Sequence, residues 1–370
     1  MNDFEKNKII DSAIRTVAKK ALASSIFSKK GREFFTNAAF NLKSASQKRD
    51  EFEQKGIHIP PFLIASIATA CNLQCRGCYA QINSGCGNNS RSKCSFEEMT
   101  SHQWENIFTQ ASDLGISFVI LAGGEPMMRK DVLETASRFP SLIFPVFTNG
   151  TLFDGEMIDF FDNHRNLIPV LSLEGNQMMT DSRRGAGVYD KIQKASKELY
   201  SKGILFGVSV TVTTENMNYV TDSSFVSDLA NDGCTALFYI EYVPADDRNH
   251  LAPEENDLNL IGRRVSSLRD DFSSMIIVSF PGDEQYLGGC LAAGIGFFHI
   301  NAFGGAEPCP FSPYSDISLK THSLIEAINS PLFEKIKAEG LLKEKQRGGC
   351  TLFAQKETVE SLSSSLKIEK

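Results

Sequence analysis

The chain has 370 residues, of which 42 % are apolar and 22 % charged, and its formal net charge is -7. This length and apolar content suit one large α/β domain with additions at its ends, and the negative charge argues against a general nucleic-acid-binding protein. No run approaches the ~20 apolar residues of a membrane-spanning helix, and the polar start lacks the apolar region of a secretory signal. We therefore expect a cytoplasmic protein, in which nine cysteines favour metal or cluster ligation over disulfides.

The first 57 residues predict two amphipathic helices with a basic character. Apolar residues recur at helical spacing from Ile10 to Ala21, and a second helical pattern runs from about Arg32 to Glu53 and includes Phe34, Phe35 and Phe40. Twelve Lys and Arg stand against seven Asp and Glu in this segment. Such a segment fits weak association with a membrane surface. The alanine-rich apolar stripe instead favours close packing on the rest of the chain, and we expect packing.

Short apolar runs then alternate with helical patterns. The candidate strands are Leu63 to Ala68, Ser117 to Ala122, Ile143 to Thr148, Ile168 to Leu173, Phe206 to Val212 and Ala236 to Tyr242. The helical patterns lie near Phe96 to Leu114, Lys130 to Phe139, Gly155 to Asn163, Tyr189 to Gly203 and Tyr219 to Asp232. Apolar strands separated by helices are typical of a parallel sheet covered by helices. We predict an open (β/α)6 partial TIM barrel, which binds ligands at the carboxyl ends of its strands.

Three cysteines, Cys71, Cys75 and Cys78, follow the first predicted strand in a polar loop with the spacing C-x3-C-x2-C. Three thiolates that hold a 4Fe-4S cube leave one iron without a protein ligand, and chemistry can take place there. A zinc site is the alternative, but it needs a fourth ligand nearby and usually shows C-x2-C pairs. The loop therefore predicts an iron-sulfur cluster with an open iron.

The second predicted strand ends in Gly123, Gly124, Glu125 and Pro126. Two glycines at a strand end let the backbone approach a ligand closely, and the glutamate places a carboxylate beside them. A small cationic group could bind there, although a tight turn with an exposed glutamate would have the same sequence.

Beyond Pro244 a polar link leads into a helical pattern from about Glu254 to Asp271 and a possible further strand from Met275 to Phe280. An apolar run that ends at Ile300 and a Gly304-Gly305 turn then predict a β-hairpin.

This hairpin would bring Cys290 and Cys309 together. His299 lies in its apolar run, and we expect a hydrogen-bonded core histidine. Cys234 is expected in the core, and the polar loop cysteines Cys86 and Cys94 are expected to have no defined role.

Over about residues 60 to 245 the chain resembles the radical S-adenosylmethionine (radical SAM) superfamily. The resemblance is carried by the cysteine loop, Gly123-Gly124-Glu125-Pro126, Thr148-Asn149-Gly150, and Ser172 with Glu174. It implies that Cys71, Cys75 and Cys78 ligate the cluster, and that the open iron chelates the amino and carboxylate groups of SAM.

The resemblance also implies the contacts to SAM. Gly123, Gly124 and Glu125 would meet the methionine amino group. The carboxylate and ribose would be met by Ser172, Glu174, Arg183 or Arg184, and Asn216. One departure concerns Gly77, because many members have an aromatic residue just before the third cysteine.

The C-x13-G-x4-C pattern from Cys290 to Cys309 resembles the start of the SPASM and twitch extensions, which hold auxiliary Fe-S clusters. The later dense cysteine group of a full SPASM domain is missing, and only Cys350 remains downstream. The resemblance implies one auxiliary 4Fe-4S cluster on Cys290, Cys309 and Cys350, with inert hairpin thiols as the alternative. The expected regions are helices at 1–57, a radical SAM barrel at 58–250 and an auxiliary-cluster region at 251–370.

The expected function is that of a radical SAM enzyme, which cleaves SAM reductively to a 5'-deoxyadenosyl radical that abstracts hydrogen from a substrate. Because many proteins with SPASM or twitch extensions modify peptides or proteins, a peptide substrate is favoured over a small molecule or lipid. The electron donor would be a flavodoxin or ferredoxin. The alternative of another class is an Fe-S electron-transfer or binding protein that never cleaves SAM.

Overall fold

Nine strands form one sheet in the computed structural model, which describes residues 29–83, 97–245, 248–343 and 350–368. The strands are β1 (Phe62–Ala68), β2 (Phe118–Gly123), β3 (Phe144–Thr148), β4 (Leu167–Ser172), β5 (Gly207–Val212), β6 (Ala236–Glu241), β7 (Ile276–Phe280), β8 (His299–Ile300) and β9 (Ala306–Glu307). Their order is β7-β6-β5-β4-β3-β2-β1-β8-β9, and every neighbouring pair is parallel except β8 and β9.

The helices follow the strands in the alternation expected from the sequence. They are α1 (Lys29–Gln54), α2 (Tyr79–Asn83), α3 (Ser101–Leu114), α4 (Lys130–Ser137), α5 (Gly155–Asn163), α6 (Gln177–Arg184), α7 (Val188–Ser201), α8 (Met217–Val220), α9 (Ser223–Asn231), α10 (Glu255–Asp271), α11 (Leu324–Ile328), α12 (Pro331–Ala338), α13 (Thr351–Ala354) and α14 (Lys356–Ile368). None of these helices combines the length and the apolar character needed to cross a membrane.

Alternate strand residues face opposite sides of the sheet. Val119 and Leu121 of β2 are fully buried in the main core together with Ile107 and Phe108 of α3, so this side is covered by helices. On the other side, Phe147 of β3 meets Phe238 of β6 with ring centroids 5.4 Å apart, although two strands separate them. The sheet is therefore curved around an inner face, and the predicted partial barrel is confirmed.

A hairpin from the C-terminal region completes the sheet beside β1. Strand β8 pairs with β1 in parallel, and β9 returns antiparallel to β8, so the predicted hairpin is confirmed. Just before β8, the ring of Phe297 stacks on Phe62 of β1 at 5.1 Å and meets Phe280 of β7 at 5.6 Å. Aromatic contacts thus span the gap between the two sides of the open barrel.

Helix α1 packs across the amino ends of the strands. Ala38 and Leu42 are buried against Ile143, with Phe118 and Ile168 beside them. Further along the helix, Asn41 Nδ2 donates to Pro140 O (2.8 Å), Lys48 Nζ to Ser112 O (2.9 Å) and Arg49 Nη1 to Ser117 Oγ (3.0 Å). The predicted second helix is confirmed and packs on the barrel. The first, from Ile10 to Ala21, lies outside the described residues.

Two helical predictions need correction. The pattern from Tyr219 to Asp232 is divided into α8 and α9, because Asp222 accepts a hydrogen bond from Ser224 N (2.9 Å) and begins a new helix. Helix α6 was not predicted, since Thr180 is its only buried residue and leaves no apolar period to detect. The possible strand after α10 exists as β7.

Candidate active site

The cysteine loop leaves the carboxyl end of β1, and Cys71, Cys75 and Cys78 are all half-buried. Leu73 N donates to Cys71 Sγ at 3.4 Å. Burial raises the pKa of the Cys71 thiol to about 11, and it also raises the pKa of Cys75, partly offset by the charge of Arg184. Because the fields of the three sulfurs act on one another, the loop brings the predicted ligands together.

Among the residues that the structure describes, no three His, Cys, Asp or Glu side chains converge closely enough to hold one metal ion. The choice of a cluster for the cysteine loop therefore still depends on the C-x3-C-x2-C spacing and on the family match reported below.

The cysteine loop contacts α6 through hydrogen bonds and the end of β6 through packing. Arg76 N donates to Arg183 O (2.9 Å), and Arg183 Nε donates back to Arg76 O (3.2 Å). Gly77 has a φ of 72°, and a Cβ there would lie 2.7 Å from the ring of Tyr242, the residue after β6. Only glycine fits between this ring and the loop. The contact of Tyr242 with the cysteine loop was not predicted, because an aromatic residue at a strand end is no specific signal in the sequence.

The glycines after β2 serve close backbone packing. A Cβ would lie 2.4 Å from Ala68 O at Gly123 and 2.1 Å from Ala70 O at Gly124. Gly124 N donates to Ala68 O (2.7 Å), and Glu125 N donates to Ala70 O (2.8 Å). The motif thus fixes the start of the cysteine loop against β2, and its contact with a methionine amino group stays a prediction.

Glu125 faces inward and is only 1 % exposed. Its Oε1 accepts hydrogen bonds from Thr148 Oγ1 (2.7 Å) and Met127 N (3.0 Å), and its Oε2 accepts one from Asn149 N (2.8 Å). Burial raises the pKa of this carboxyl, and the three donors oppose that shift. Glu125 therefore ties the end of β2 to the end of β3, a link that joins two of the predicted motifs.

Asn149 extends this link to the cysteine loop. Its Nδ2 donates to Asn72 Oδ1 at 2.8 Å and lies 3.8 Å from Cys71 Sγ. Cys71 is thus held by a chain of hydrogen bonds that begins at Glu125.

Glu174 forms the second buried acidic centre. Its Oε1 accepts from Arg183 Nη1 (2.6 Å) and Arg184 Nε (2.8 Å), and its Oε2 accepts from Thr211 N (3.1 Å). Buried charges of this kind are tolerated only when they are paired and hydrogen-bonded. Glu174 therefore positions the two arginines beside the cysteine loop, and its carboxylate is already engaged.

Ser172 and Asn216 differ in how free they are to meet a ligand. Ser172 Oγ lies on the inner face, 3.4 Å from Ser209 Oγ, and is half-buried. Asn216 donates through Nδ2 to Glu174 O (3.1 Å) and Thr211 O (3.0 Å), and its Oδ1 accepts from Thr213 N (2.8 Å). Asn216 thus uses its amide on the backbone, whereas Ser172 can reach a ligand.

A second group of thiols lies in the core of the C-terminal region. Cys290, Cys309 and Cys350 are 4 %, 2 % and 8 % exposed and come from three separate segments. Burial raises the pKa of both Cys290 and Cys309, and a hydrogen bond between Cys309 and Cys350 adds to the effect. The structure therefore brings together the three cysteines of the predicted auxiliary site. Cys86 and Cys94 lie outside the described residues.

Helix α2 connects the two thiol groups. Tyr79, next to Cys78, meets Phe311 edge-on with centroids 5.0 Å apart, and Asn83 Nδ2 donates to Pro310 O at 2.7 Å. Burial raises the pKa of Tyr79, and the field of Cys309 contributes to this shift. No local pattern predicts this contact, because it joins residues more than 200 positions apart.

His299 is hydrogen-bonded on both sides, as expected. Its Nε2 lies 2.8 Å from Ser66 Oγ on β1, and its Nδ1 lies 2.6 Å from Glu307 Oε2 on β9. Asn301 Nδ2 donates to the other oxygen of Glu307 (2.6 Å). This polar network fixes the hairpin to the inner face of β1.

Comparison with known proteins identifies the family of the barrel region. Residues 65–225 match the family model of the radical SAM superfamily. This part of the chain is a radical SAM domain. Members of this superfamily are enzymes that use a 4Fe-4S cluster and SAM, and the matched residues include the cysteine loop and both acidic centres described above.

Two curated relatives and one solved structure are similar to this chain. Fe-coproporphyrin III synthase of Methanosarcina barkeri is 28 % identical over 46 % of this chain and 41 % of its own length. PqqA peptide cyclase of Granulibacter bethesdensis is 23 % identical over 68 % of each chain. Streptococcus suis SuiB, solved with its precursor peptide SuiA, has a TM-score of 0.62 at 18 % identity and covers 80 % of this chain and 71 % of its own. The match to SuiB supports the fold.

Proposed function

We propose that this radical SAM enzyme modifies a peptide or protein substrate by hydrogen abstraction. The observation that carries the proposal is the second buried group of three cysteines beside the radical SAM barrel. A curated relative that aligns over two thirds of the chain is named a peptide cyclase, which supports a peptide as the substrate.

Cys71, Cys75 and Cys78 would hold the SAM-binding cluster. When bound, the cluster and SAM supply the electron and the 5'-deoxyadenosyl radical for hydrogen abstraction. Gly123, Gly124 and Glu125 would position the methionine end of SAM, in accord with their place next to the cysteine loop.

The remaining predicted residues would lie near the carboxylate and the ribose of SAM. Ser172 would contact SAM directly, because its hydroxyl is open to the inner face of the barrel. Glu174 and Asn216 would act as positioning residues for Arg183 and Arg184, since their own polar atoms are engaged.

Cys290, Cys309 and Cys350 would hold one auxiliary 4Fe-4S cluster. Three ligands leave one iron free for substrate or for a ligand other than cysteine. We keep the proposed regions of a helical segment at 1–57, a barrel core at 58–250 and an auxiliary-cluster region at 251–370, whose strands β7 to β9 extend the sheet of the barrel.

The proposed electron donor is a flavodoxin or ferredoxin, since the cluster needs a low-potential electron. All seven cysteines of the described residues are free, which favours a reducing cytoplasm. Membrane-surface binding through residues 1–57 is less favoured, because α1 uses its apolar side on the barrel.

The first test is cleavage of SAM by the anaerobically reconstituted enzyme with a strong reductant. Cys75→Ala should abolish formation of 5'-deoxyadenosine while leaving the fold in place. Cys234→Ala is the control, because Cys234 is a core thiol outside both cysteine groups, and it hydrogen-bonds to Ala236 O at 3.1 Å. Equal cleavage by Cys75→Ala and the control would contradict the cluster assignment.

A small molecule is the second candidate substrate, favoured by the match to Fe-coproporphyrin III synthase. Deuterium transfer into 5'-deoxyadenosine separates the two. The label should come from deuterated peptides encoded next to this gene, and transfer from a deuterated tetrapyrrole precursor alone would favour the small molecule.

A further inference from the structure

A cavity of about 370 Å³ lies on the outer side of the sheet, between α10, the end of β6 and the segment after β7. Leu258, Ile261 and Val265 of α10 supply an apolar wall. Tyr286 lies in its lining and is 68 % exposed. The cavity is separate from the inner face of the barrel, and the radical SAM reaction does not use it.

Glu241, the last residue of β6, faces into this cavity and is only 6 % exposed. Within the described part of the chain, no hydrogen bond or ion pair engages its carboxylate. A Cβ at Gly282 would lie 2.8 Å from Glu241 Oε1 and 2.6 Å from Ser279 Oγ, so the missing side chain keeps the floor of the cavity open. A largely buried carboxylate without a protein partner is costly, and a cation bound in the cavity would offset that cost.

The charged neighbours favour a cation as the ligand. Asp283 is the charge that acts most on Glu241, and it raises the pKa of the glutamate further. Arg269 is already engaged, because its Nη2 donates to both oxygens of Asp283 (2.8 and 2.6 Å). Glu255 and Arg263 lie in the lining and are exposed. The buried floor of the cavity is therefore negative.

The wall of the cavity favours an organic cation. Leu258, Ile261 and Val265 match an alkyl chain that leads to a charged head.

We propose that this cavity binds an alkylammonium group, as carried by a lysine side chain or a free primary amine, with Glu241 as its counter-ion. The alkyl chain would lie along α10, and the ammonium would donate to Glu241 and to Ser279 Oγ. The next residue, Tyr242, faces the cysteine loop instead and packs on Gly77.

Calorimetric titration of the full chain at pH 8 tests the proposal, with n-butylammonium chloride as the probe. Glu241→Gln should weaken binding at least tenfold, and Gly282→Ala should do so by filling the floor of the cavity. Glu339→Gln, an exposed glutamate outside the cavity, should bind like the unaltered protein. 1-Butanol, which has the same chain without the charge, should not bind.

Two peptides distinguish the sources of the ammonium group. Acetyl-Gly-Lys-Gly-amide should bind if lysine side chains enter, with its norleucine analogue as the control. Binding of butylammonium without the lysine peptide would assign the site to free amines. Equal affinity of Glu241→Gln and the unaltered protein, or equal affinity for 1-butanol and butylammonium, would overturn the proposal.

Discussion

At the scale of a residue, the two buried carboxylates of Glu174 and Glu241 differ in whether they have a charged partner. Glu174 is paired with two arginines and stabilises the position of the cysteine loop. Glu241 is buried without such a partner, and burial together with Asp283 raises its pKa to about 7. The first carboxylate organises a site, whereas the second makes folding depend on pH.

The direction of this dependence follows from proton binding. Between pH 4.5 and about 7 the folded chain retains a proton on Glu241 that the unfolded chain has lost, so stability falls as pH rises through this window. At about 1.4 kcal/mol per pKa unit, the loss above pH 7 amounts to about 3 kcal/mol. Glu241→Gln should therefore raise the free energy of unfolding at pH 8 by up to this amount, with little effect at pH 4.5.

Urea unfolding of Glu241→Gln and Glu339→Gln at both pH values checks this. If Glu241→Gln raised the free energy of unfolding equally at the two pH values, or if Glu339→Gln raised it as much, the charge of Glu241 would not be the cause.

At the scale of an element, the cysteine loop is shaped by its neighbours as much as by its own residues. Gly77 leaves room for Tyr242, and Arg76 and Arg183 bond to each other's backbone. Each contact joins the loop to a strand or helix more than 100 residues away.

Gly77→Ala should lower the iron content of the reconstituted protein, because its Cβ would clash with the Tyr242 ring and its φ of 72° costs about 1 kcal/mol for a side chain. Adding Tyr242→Ala should restore part of the iron by removing the clash. Iron and sulfide analysis of the single and double variants, with Tyr242→Ala alone as the reference, measures this. No recovery in the double variant would mean that the backbone conformation, and not the ring, requires glycine.

The elements also show what could be read from the sequence. Strands β1 to β6 were predicted within about two residues, because each is a continuous apolar run bounded by turn residues. Helix α6 escaped prediction because it buries only Thr180. In the site, the spacing of Cys71, Cys75 and Cys78 predicted the ligands, while the partners of Glu125 and Glu174 depend on tertiary contacts that no local pattern records.

At the scale of the whole molecule, two groups of three cysteines lie on either side of α2, and they predict an iron count. The full chain should bind about eight irons as two cubes. Changing Cys71, Cys75 and Cys78 to Ala should leave about four irons, and changing Cys290, Cys309 and Cys350 should also leave about four.

The two triple variants should differ in function as well as in location of the iron. The variant that lacks Cys290, Cys309 and Cys350 should still cleave SAM, whereas the other should not. Loss of all iron from the variant of the first group would remove the basis for a separate auxiliary cluster.

The pairing of β1 with β8 has a consequence for synthesis of the chain. Strand β1 ends at residue 68, but its second neighbour is completed only at residue 300. At 5–20 residues per second, roughly 10–50 s separate the two during translation. One edge of β1 therefore stays unpaired on the ribosome for that interval, until the hairpin adds its strand to the sheet.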